Sequence, residues 1–192
     1  MIEAYCDGAC RVSNPGICSC AWVLHGPNIN THEVHFLGPE LHTNNYAEYQ
    51  GLIRLLKFLY KAHLRNVVIY CDSLLVVNQV NDVWDVNSPD LLPYWQLAYG
   101  MVMQGCHVLK HIKGHDGNVG NEEADRLCNE VLDRQEENNG TVLNPKKIKS
   151  GKLILWDGPS LRRQAADRVI KIRRTDNPKE KFFVYKEDRN VE

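Results

Sequence analysis

The first part of the chain alternates apolar and polar residues with a period of two, which predicts β-strands that turn one face toward a core. Three such segments occupy residues 2–7, 18–25 and 32–37, and turn sequences rich in Asn, Pro and Gly separate them. We therefore predict an antiparallel meander of three strands. Gly8 is predicted to end the first strand, which leaves Asp7 at its tip.

The next segment changes to the spacing of an α-helix. Four leucines between residues 52 and 59 recur at helical intervals, which predicts a long helix over residues 44–62. Thr43 or Asn44 can cap it by accepting hydrogen bonds from its first free amides. The β-branched run at residues 66–71 then predicts a strand covered on both faces, which returns parallel to a neighbouring strand.

The remaining segments complete an α/β pattern. We predict a helix, a second helix, a strand and a last helix at residues 73–80, 88–103, 106–111 and 120–134, respectively. The element order βββαβααβα is typical of a mixed β-sheet with helices on its faces.

A polar stretch after this pattern predicts a linker. We expect one domain in residues 1–136 and a C-terminal extension in residues 137–192, which forms a small β-containing subdomain in our interpretation. Within the extension we predict a strand, a helix or strand, and a further strand at residues 152–156, 165–172 and 181–185, respectively.

Composition places the chain among soluble globular proteins. Its 192 residues, 43% of them hydrophobic, suffice for one domain with a sizeable core. No apolar run approaches the roughly 20 residues that cross a bilayer, and the first residues lack the basic-then-apolar pattern of a secretory signal. We therefore expect a cytoplasmic protein that contacts no membrane.

The seven cysteines are an odd number, and most of them stand in apolar segments. This pattern predicts reduced cysteines that pack in the core rather than a disulfide framework. Cys18 and Cys20 are close in sequence, but no second Cys/His pair follows at the spacing of a zinc finger. We therefore expect no structural zinc.

Four acidic residues are predicted to converge at one edge of the sheet. Asp7 and Asp72 each follow a strand expected to be buried, and such edges hold the sites of open α/β sheets. Glu48 shares a helical stripe with the core leucines, and Asp125 borders the apolar face of the last helix. Clustered carboxylates repel one another unless hard cations neutralise them, which favours Mg²⁺ or Mn²⁺ over zinc.

Such a cluster suits the hydrolysis of phosphodiesters. Two ions about 4 Å apart can activate a water on one side of the phosphate and stabilise the leaving 3′-oxygen on the other. His115, in a glycine-rich loop, is then placed to move protons or to help the product leave.

Four segments, in this order, resemble the motif blocks of the type 1 ribonucleases H, and they span residues 1 to about 135. They are Asp7-Gly-Ala, Thr43-Asn-Asn-x-Ala-Glu48, Tyr70-Cys-Asp72-Ser and Gly114-His115-Asp-Gly-Asn-Val-Gly-Asn121-Glu-Glu-Ala-Asp125. The resemblance implies a ribonuclease H-like five-stranded mixed β-sheet flanked by helices. It also implies Mg²⁺-dependent cleavage of the RNA strand of RNA/DNA hybrids, which leaves 5′-phosphate and 3′-hydroxyl ends.

By matching positions, the resemblance assigns the roles of individual residues. The metal ligands would be Asp7, Glu48, Asp72 and Asp125. His115 would be a mobile residue that moves protons or assists product release. The residues that match hybrid-contacting positions are Asn14, Thr43, Asn44 and Asn45. Discrimination by the 2′-hydroxyl is what makes such an enzyme hybrid-specific.

The chain departs from the family pattern in two places. The turn after Asp7 carries one extra residue, which makes Asn14 the least secure assignment. The segment of residues 80–92 lacks the lysines with which many members hold the DNA strand.

Charge is divided unevenly and offers a substitute for those lysines. Residues 1–139 carry 9 Lys and Arg against 17 Asp and Glu, a net −8, whereas residues 140–192 carry 14 against 7, a net +7. The basic extension could contact phosphates, dock on a protein partner or simply keep the chain soluble. A non-catalytic hybrid-binding module and a domain that works beside a polymerase remain the alternatives to an active nuclease.

Overall fold

A computed structural model describes residues 2–11 and 13–139, with side chains up to residue 136, and the backbone of residues 170–173 and 183–186. The elements are β1 (Glu3–Arg11), β2 (Ile17–Gly26), β3 (Ile29–Phe36), α1 (Asn44–Lys61), β4 (Val68–Cys71), α2 (Leu74–Val80), α3 (Leu92–Gly105), β5 (Val108–His111), α4 (Val119–Asn139), β6 (Ile170–Arg173) and β7 (Phe183–Lys186). Up to α4 the predicted order βββαβααβα is confirmed.

Strands β1 to β5 form one mixed sheet in the order β3-β2-β1-β4-β5. The first three strands pair antiparallel, as a meander with short turns requires, while β1, β4 and β5 pair parallel. Helix α1 supplies the crossover from β3 to β4. The five-stranded mixed sheet is therefore confirmed, with β1 at its centre.

Helices α1 and α4 cover opposite faces of this sheet. Ala21 and Val23 of β2 pack against the apolar face of α4. Neighbouring residues of a strand point to opposite faces, so Gly8 of β1, which pairs with Cys20, faces α1 instead. A Cβ atom on Gly8 would collide with the α1 backbone at Ala47 and Glu48. Glycine therefore lets α1 approach β1 closely at the position of Glu48.

Several element ends differ from the predicted ones. Strand β1 does not stop at Gly8 but continues to Arg11, because β2 pairs with it along its whole length. Helix α3 begins at Leu92 rather than at residue 88, with a proline in its first turn. Cys106, predicted to begin β5, is instead the left-handed cap that ends α3.

The expectation of reduced cysteines is wrong for one pair. Cys10 of β1 lies directly opposite Cys18 of β2, and the two form a disulfide. The period of the sequence does not reveal which residues face each other across a strand pair, so this bond was not foreseen. Five other cysteines are free, as predicted.

The chain divides into two compact units, residues 1–149 and 150–192. The predicted boundary after residue 136 stays a prediction. In the second unit β6 and β7 pair antiparallel. Strand β6 overlaps the helix or strand predicted at residues 165–172, and β7 overlaps the strand predicted at residues 181–185. The strand predicted at residues 152–156 lies outside the described residues. None of the described helices is both long and apolar enough to span a membrane.

Candidate metal centre and active site

Two neighbouring parallel strands bring two aspartates to the same edge of the sheet. The last residue pair of the β1–β4 ladder is Cys6 with Cys71, so Asp7 and Asp72 both follow directly after it. The predicted convergence is thus present in the structure, but Asp7 lies inside β1 rather than at its tip. The reason is that β1 keeps pairing with β2 beyond the point where β4 ends.

Helix α1 carries Glu48 to this edge. The hydroxyl of Thr43 accepts a hydrogen bond from the backbone amide of Tyr46 (3.2 Å), so the predicted cap is present and fixes the start of the helix. Glu48 lies in the second turn, where α1 touches Gly8, and it is 5% exposed. Its Oε1 accepts a weak hydrogen bond from the Asn44 side chain (3.4 Å).

Asp7 and Glu48 each bury a carboxylate oxygen without a hydrogen-bond partner. These atoms are Asp7 Oδ2 and Glu48 Oε2, and Asp7 is also 5% exposed. Burial, and then repulsion from Asp72 and Asp125, raises the pKa of Asp7 to about 7. Burial, with further contributions from Cys71, Asp7 and Asp72, raises the pKa of Glu48 well above its usual value.

Asp72 and Asp125 are half-buried, and each accepts a hydrogen bond from an asparagine of α4. Asn121 donates its side-chain amide to Asp72 Oδ2 (3.1 Å), and Asn129 donates to Asp125 Oδ1 (2.9 Å). Asn121 is 3% exposed, and its own backbone amide donates to the side chain of Asn118 (3.1 Å). No role was predicted for Asn121 from the sequence. Its position four residues before Asp125, one helical turn away, was the available signal.

The donor set of this edge fits a divalent cation. Glu48, Cys71 and Asp72 each offer one ligand atom, and these three atoms lie within 4.8 Å of one another. Buried carboxylate oxygens without partners are unfavourable unless positive charge compensates them. Cys71 was predicted only as a packing residue and is an addition to the set. Asp7 and Asp125 lie outside this group of three but near enough for the two aspartates to repel each other.

The glycine-rich loop between β5 and α4 passes over the same edge. A Cβ atom on Gly114 would stand 3.0 Å from Asp72 Oδ2, so this backbone lies against the carboxylate. The next residue, His115, is exposed and has a left-handed backbone (φ 55°). An exposed imidazole on such a loop can approach a bound substrate and exchange protons with solvent.

The residues predicted to contact the hybrid gather at the start of α1. Asn14 Oδ1 accepts a hydrogen bond from the backbone amide of Asn44 (3.0 Å), which ties the β1–β2 turn to the helix. Gly16 and His42 reinforce this link through two backbone hydrogen bonds of 2.8 Å. Asn14, Thr43 and Asn44 therefore form one continuous polar surface.

A groove of about 670 Å³ continues from this surface toward α3. Thr43 and Asn45 line one side, and Trp84, which is 46% exposed, lines the other. Trp95, in contrast, is buried. Among the described residues that line the groove none is basic, as the absence of lysines in this segment predicted.

Comparison with known proteins gives consistent matches. The sequence model of the RNase H family matches residues 1–133. Ribonuclease H of Methylobacillus flagellatus is 35% identical over 150 residues, which cover 70% of this chain and 93% of that protein. The crystal structure of RNase H1 from Halobacterium salinarum is 33% identical, with a TM-score of 0.61, and the match covers 69% of this chain and 98% of that one. LC11-RNase H1, solved in complex with an RNA/DNA hybrid, is 29% identical with a TM-score of 0.61. This match covers 70% of this chain and 99% of that one.

Proposed function

Because the chain belongs to the ribonuclease H family, we propose that it hydrolyses the RNA strand of RNA/DNA hybrids, leaving 5′-phosphate and 3′-hydroxyl ends. The observation that carries this proposal is the edge at which Glu48 and Asp72 offer ligand atoms close together and Asp7 is near enough to repel Asp72, with one buried oxygen of Asp7 and one of Glu48 unpaired. A relative solved with an RNA/DNA hybrid supports the choice of substrate.

The four carboxylates would hold the metal ions, and when bound two Mg²⁺ (or Mn²⁺) would activate the attacking water and stabilise the leaving oxygen. Asp7 and Glu48 would supply negative charge at fixed positions once a cation compensates their burial, because their burial allows little movement. Asn121 orients Asp72 through its amide hydrogen bond, and Asn129 does the same for Asp125. His115, on the exposed loop, takes up or delivers a proton as the product leaves.

The start of α1 would recognise the hybrid. Thr43, Asn44 and Asn45 present side-chain and backbone polar groups beside Glu48, and the hydrogen bond from Asn44 to Asn14 holds the turn in place. We propose that these residues contact sugars and phosphates, including the 2′-hydroxyl that distinguishes RNA from DNA. Cleavage would then occur only where a ribose meets the carboxylates.

The basic extension, residues 137–192 as a domain of its own, would add affinity for nucleic acid or for a protein partner. Its net positive charge supports phosphate contact, and each neutralised phosphate adds salt-dependent affinity. Replacing Arg162, Arg163, Arg173 and Arg174 by glutamine in the full chain should weaken hybrid binding and flatten its dependence on salt. Unchanged affinity and slope would remove this role. We also keep a cytoplasmic location as part of the proposal.

A panel of substrates tests the main proposal. The full chain is incubated with Mg²⁺ and a labelled RNA/DNA hybrid, beside double-stranded RNA, single-stranded RNA and duplex DNA, and an Asp72→Asn variant serves as control. We expect cleavage of the hybrid's RNA strand alone, lost in the variant. Tight hybrid binding without cleavage under Mg²⁺ or Mn²⁺ would make the protein a binding module and refute the proposal.

A further inference from the structure

Cys71 places a sulfur atom beside the carboxylates of the candidate metal centre. It is the last residue of β4, it is fully buried, and it is one of the free cysteines. Its Sγ lies within 4.8 Å of a carboxylate oxygen of Glu48 and of one of Asp72, and those two oxygens also lie within 4.8 Å of each other. One sulfur and two oxygens therefore surround a single point at the edge of the sheet.

These separations suit three ligands of one ion. Bonds to a divalent metal are about 2.0–2.3 Å long for oxygen and sulfur, so two ligand atoms of a tetrahedral ion lie roughly 3.3–3.8 Å apart. Side-chain shifts of up to about 1 Å would bring the three atoms into one coordination shell. Asp72 is already oriented by Asn121, and Glu48 keeps one buried oxygen free of hydrogen bonds.

The neighbouring cysteine shows that the placement is specific to Cys71. Cys6 pairs with Cys71 on the adjacent strand and is equally buried. Its Sγ contacts the Cys71 thiol and lies 3.9 Å from the backbone oxygen of Tyr70, but it does not belong to the group with Glu48 and Asp72. Two sulfurs in the same ladder thus stand in different relations to the carboxylates.

Sulfur changes which ions the centre prefers. Mg²⁺ takes oxygen ligands and gains nothing from a thiol, whereas Zn²⁺ and Cd²⁺ bind thiolate strongly. We propose that Cys71 makes this edge a mixed sulfur and oxygen site that captures thiophilic divalent ions in competition with Mg²⁺. The thiol gives its proton to solvent when the metal–sulfur bond forms. This proposal rests on the proposed function in one respect: Glu48 and Asp72 would also hold the catalytic ions.

Cadmium binding tests the sulfur ligand directly. Cd²⁺ bound to thiolate absorbs in the ultraviolet through charge transfer, whereas Cd²⁺ bound to oxygen alone does not. The full chain is titrated with CdCl₂ in thiol-free buffer, in a Cys106→Ser background that removes the exposed free cysteine. Cys71→Thr in this background is the test variant, and Cys6→Ser is the matched control. Cleavage of the hybrid under Mg²⁺ is measured on the same samples before cadmium is added.

We expect a saturable band in the Cys106→Ser parent and in the Cys6→Ser control, and its loss in Cys71→Thr. Cd²⁺ affinity should fall at least about tenfold in Cys71→Thr. A band that survives in Cys71→Thr, or a parent that shows none, would overturn the inference. If the parent shows the band but does not cleave hybrid, the proposed function fails while the metal site stands.

A second measurement keeps the test valid if Cys71→Thr does not fold. The ¹¹³Cd nuclear magnetic resonance signal of the parent moves downfield when sulfur joins the coordination shell. A signal in the range of mixed sulfur and oxygen ligands, at one equivalent of cadmium, supports the inference, and Cys6→Ser should leave it in place. A signal in the range of oxygen ligands alone would refute it.

Discussion

The two halves of the carboxylate centre are built in different ways. On the side of β1 and α1, Asp7 and Glu48 are almost fully buried, and each keeps one oxygen without a partner. On the side of α4, Asp72 and Asp125 are half-buried, and each accepts an amide hydrogen bond from an asparagine. The first half therefore keeps two buried oxygens without partners, although Glu48 Oε1 accepts a weak hydrogen bond from Asn44, whereas amide hydrogen bonds hold both carboxylates of the second half.

This difference indicates that the two pairs of carboxylates have different roles. Unpaired buried carboxylates are unfavourable in the protein alone, and that energy is recovered when a cation binds. Carboxylates held by amides are already oriented, so their contribution is geometric. Substitutions in the first half should therefore change metal binding and stability strongly, and removal of the asparagines in the second half should produce graded losses of activity.

The largest expected effect is on catalysis when Glu48 is replaced. Glu48→Gln keeps the shape of the side chain but removes the charge that would hold metal. We expect cleavage of hybrid under Mg²⁺ to fall by about 10³-fold or more, measured as initial rates with saturating substrate. Glu40→Gln, which neutralises an exposed acid away from this edge, is the control and should keep its rate within about twofold. A Glu48→Gln rate near that of the control would contradict a role of the buried Glu48 carboxylate in holding metal.

Asp7 should show its effect in stability as well as in activity. Its pKa is raised from 3.8 to about 7, so the ionised form is disfavoured in the folded, metal-free protein. The protonated Asp7 therefore leaves the folded state at its full stability below pH 3.8, and the free energy of unfolding falls as pH rises from 3.8 toward 7. Asp7→Asn should raise the metal-free free energy of unfolding by up to about 4 kcal/mol above pH 7, at 1.36 kcal/mol per pKa unit.

Denaturant unfolding in EDTA from pH 5 to pH 8 measures this difference. The gap between Asp7→Asn and the unsubstituted chain should widen with pH and level off above pH 7. Mg²⁺ should then stabilise the unsubstituted chain more than the variant. A difference that stays constant across this pH range would contradict the view that ionising the buried Asp7 carboxyl destabilises the metal-free protein.

Asn121 should have the next largest effect. Asn121→Ala removes the amide that orients Asp72, and we expect hybrid cleavage at limiting Mg²⁺ to fall by about 10 to 100-fold. The loss should shrink as Mg²⁺ rises, because the metal can itself hold the carboxylate in place. Asn121→Asp tests charge separately: it adds a repelling carboxylate and should not rescue activity. An equal loss at all Mg²⁺ concentrations would point to a fault in folding rather than in positioning.

Asn129 should have the smallest effect of the set. Its half-buried side chain donates to Asp125 and also accepts a hydrogen bond from Arg11 (3.2 Å). Asn129→Ala should lower the rate only about threefold, since water can replace an amide at a half-buried carboxylate. Rates of Asn129→Ala and Asn121→Ala measured side by side rank the two contacts. A larger loss at Asn129 would reverse the ranking that burial predicts.

Much of the fold follows from local patterns. The leucine spacing and the Thr43 cap predicted α1 almost to the residue, because a helix start depends on neighbours within one turn. The β-branched run before Asp72 predicted a parallel strand covered on both faces. The parallel pairing is confirmed, but only Ile69 and Cys71 of β4 are buried, whereas Val68 and Tyr70 on the other face are half-buried. Asp7 was misplaced at a strand end because the extent of β1 depends on its pairing with β2, which is a long-range property.

The details of the centre depend on register and were harder to predict. Cys10 and Cys18 pair because the β1–β2 register puts them opposite each other. Cys71 looked like a core residue because it ends an apolar run, and only the approach of α1 brings Glu48 beside its sulfur. Asn121 was visible in the motif, but its contact with Asp72 joins α4 to the end of β4. Such contacts between distant segments leave no periodic signal in the sequence.

The chemical ends of the cleaved RNA show whether the carboxylate centre hydrolyses the strand through bound metal. Hybrid with internally labelled RNA is digested by the full chain with Mg²⁺, by the same chain in EDTA, and by Asp72→Asn as a guard against contaminating nucleases. We expect 5′-phosphate and 3′-hydroxyl ends in the Mg²⁺ reaction and no products in the other two. Ends carrying a 2′,3′-cyclic phosphate, or cleavage that persists in EDTA, would contradict a carboxylate centre that works through bound metal.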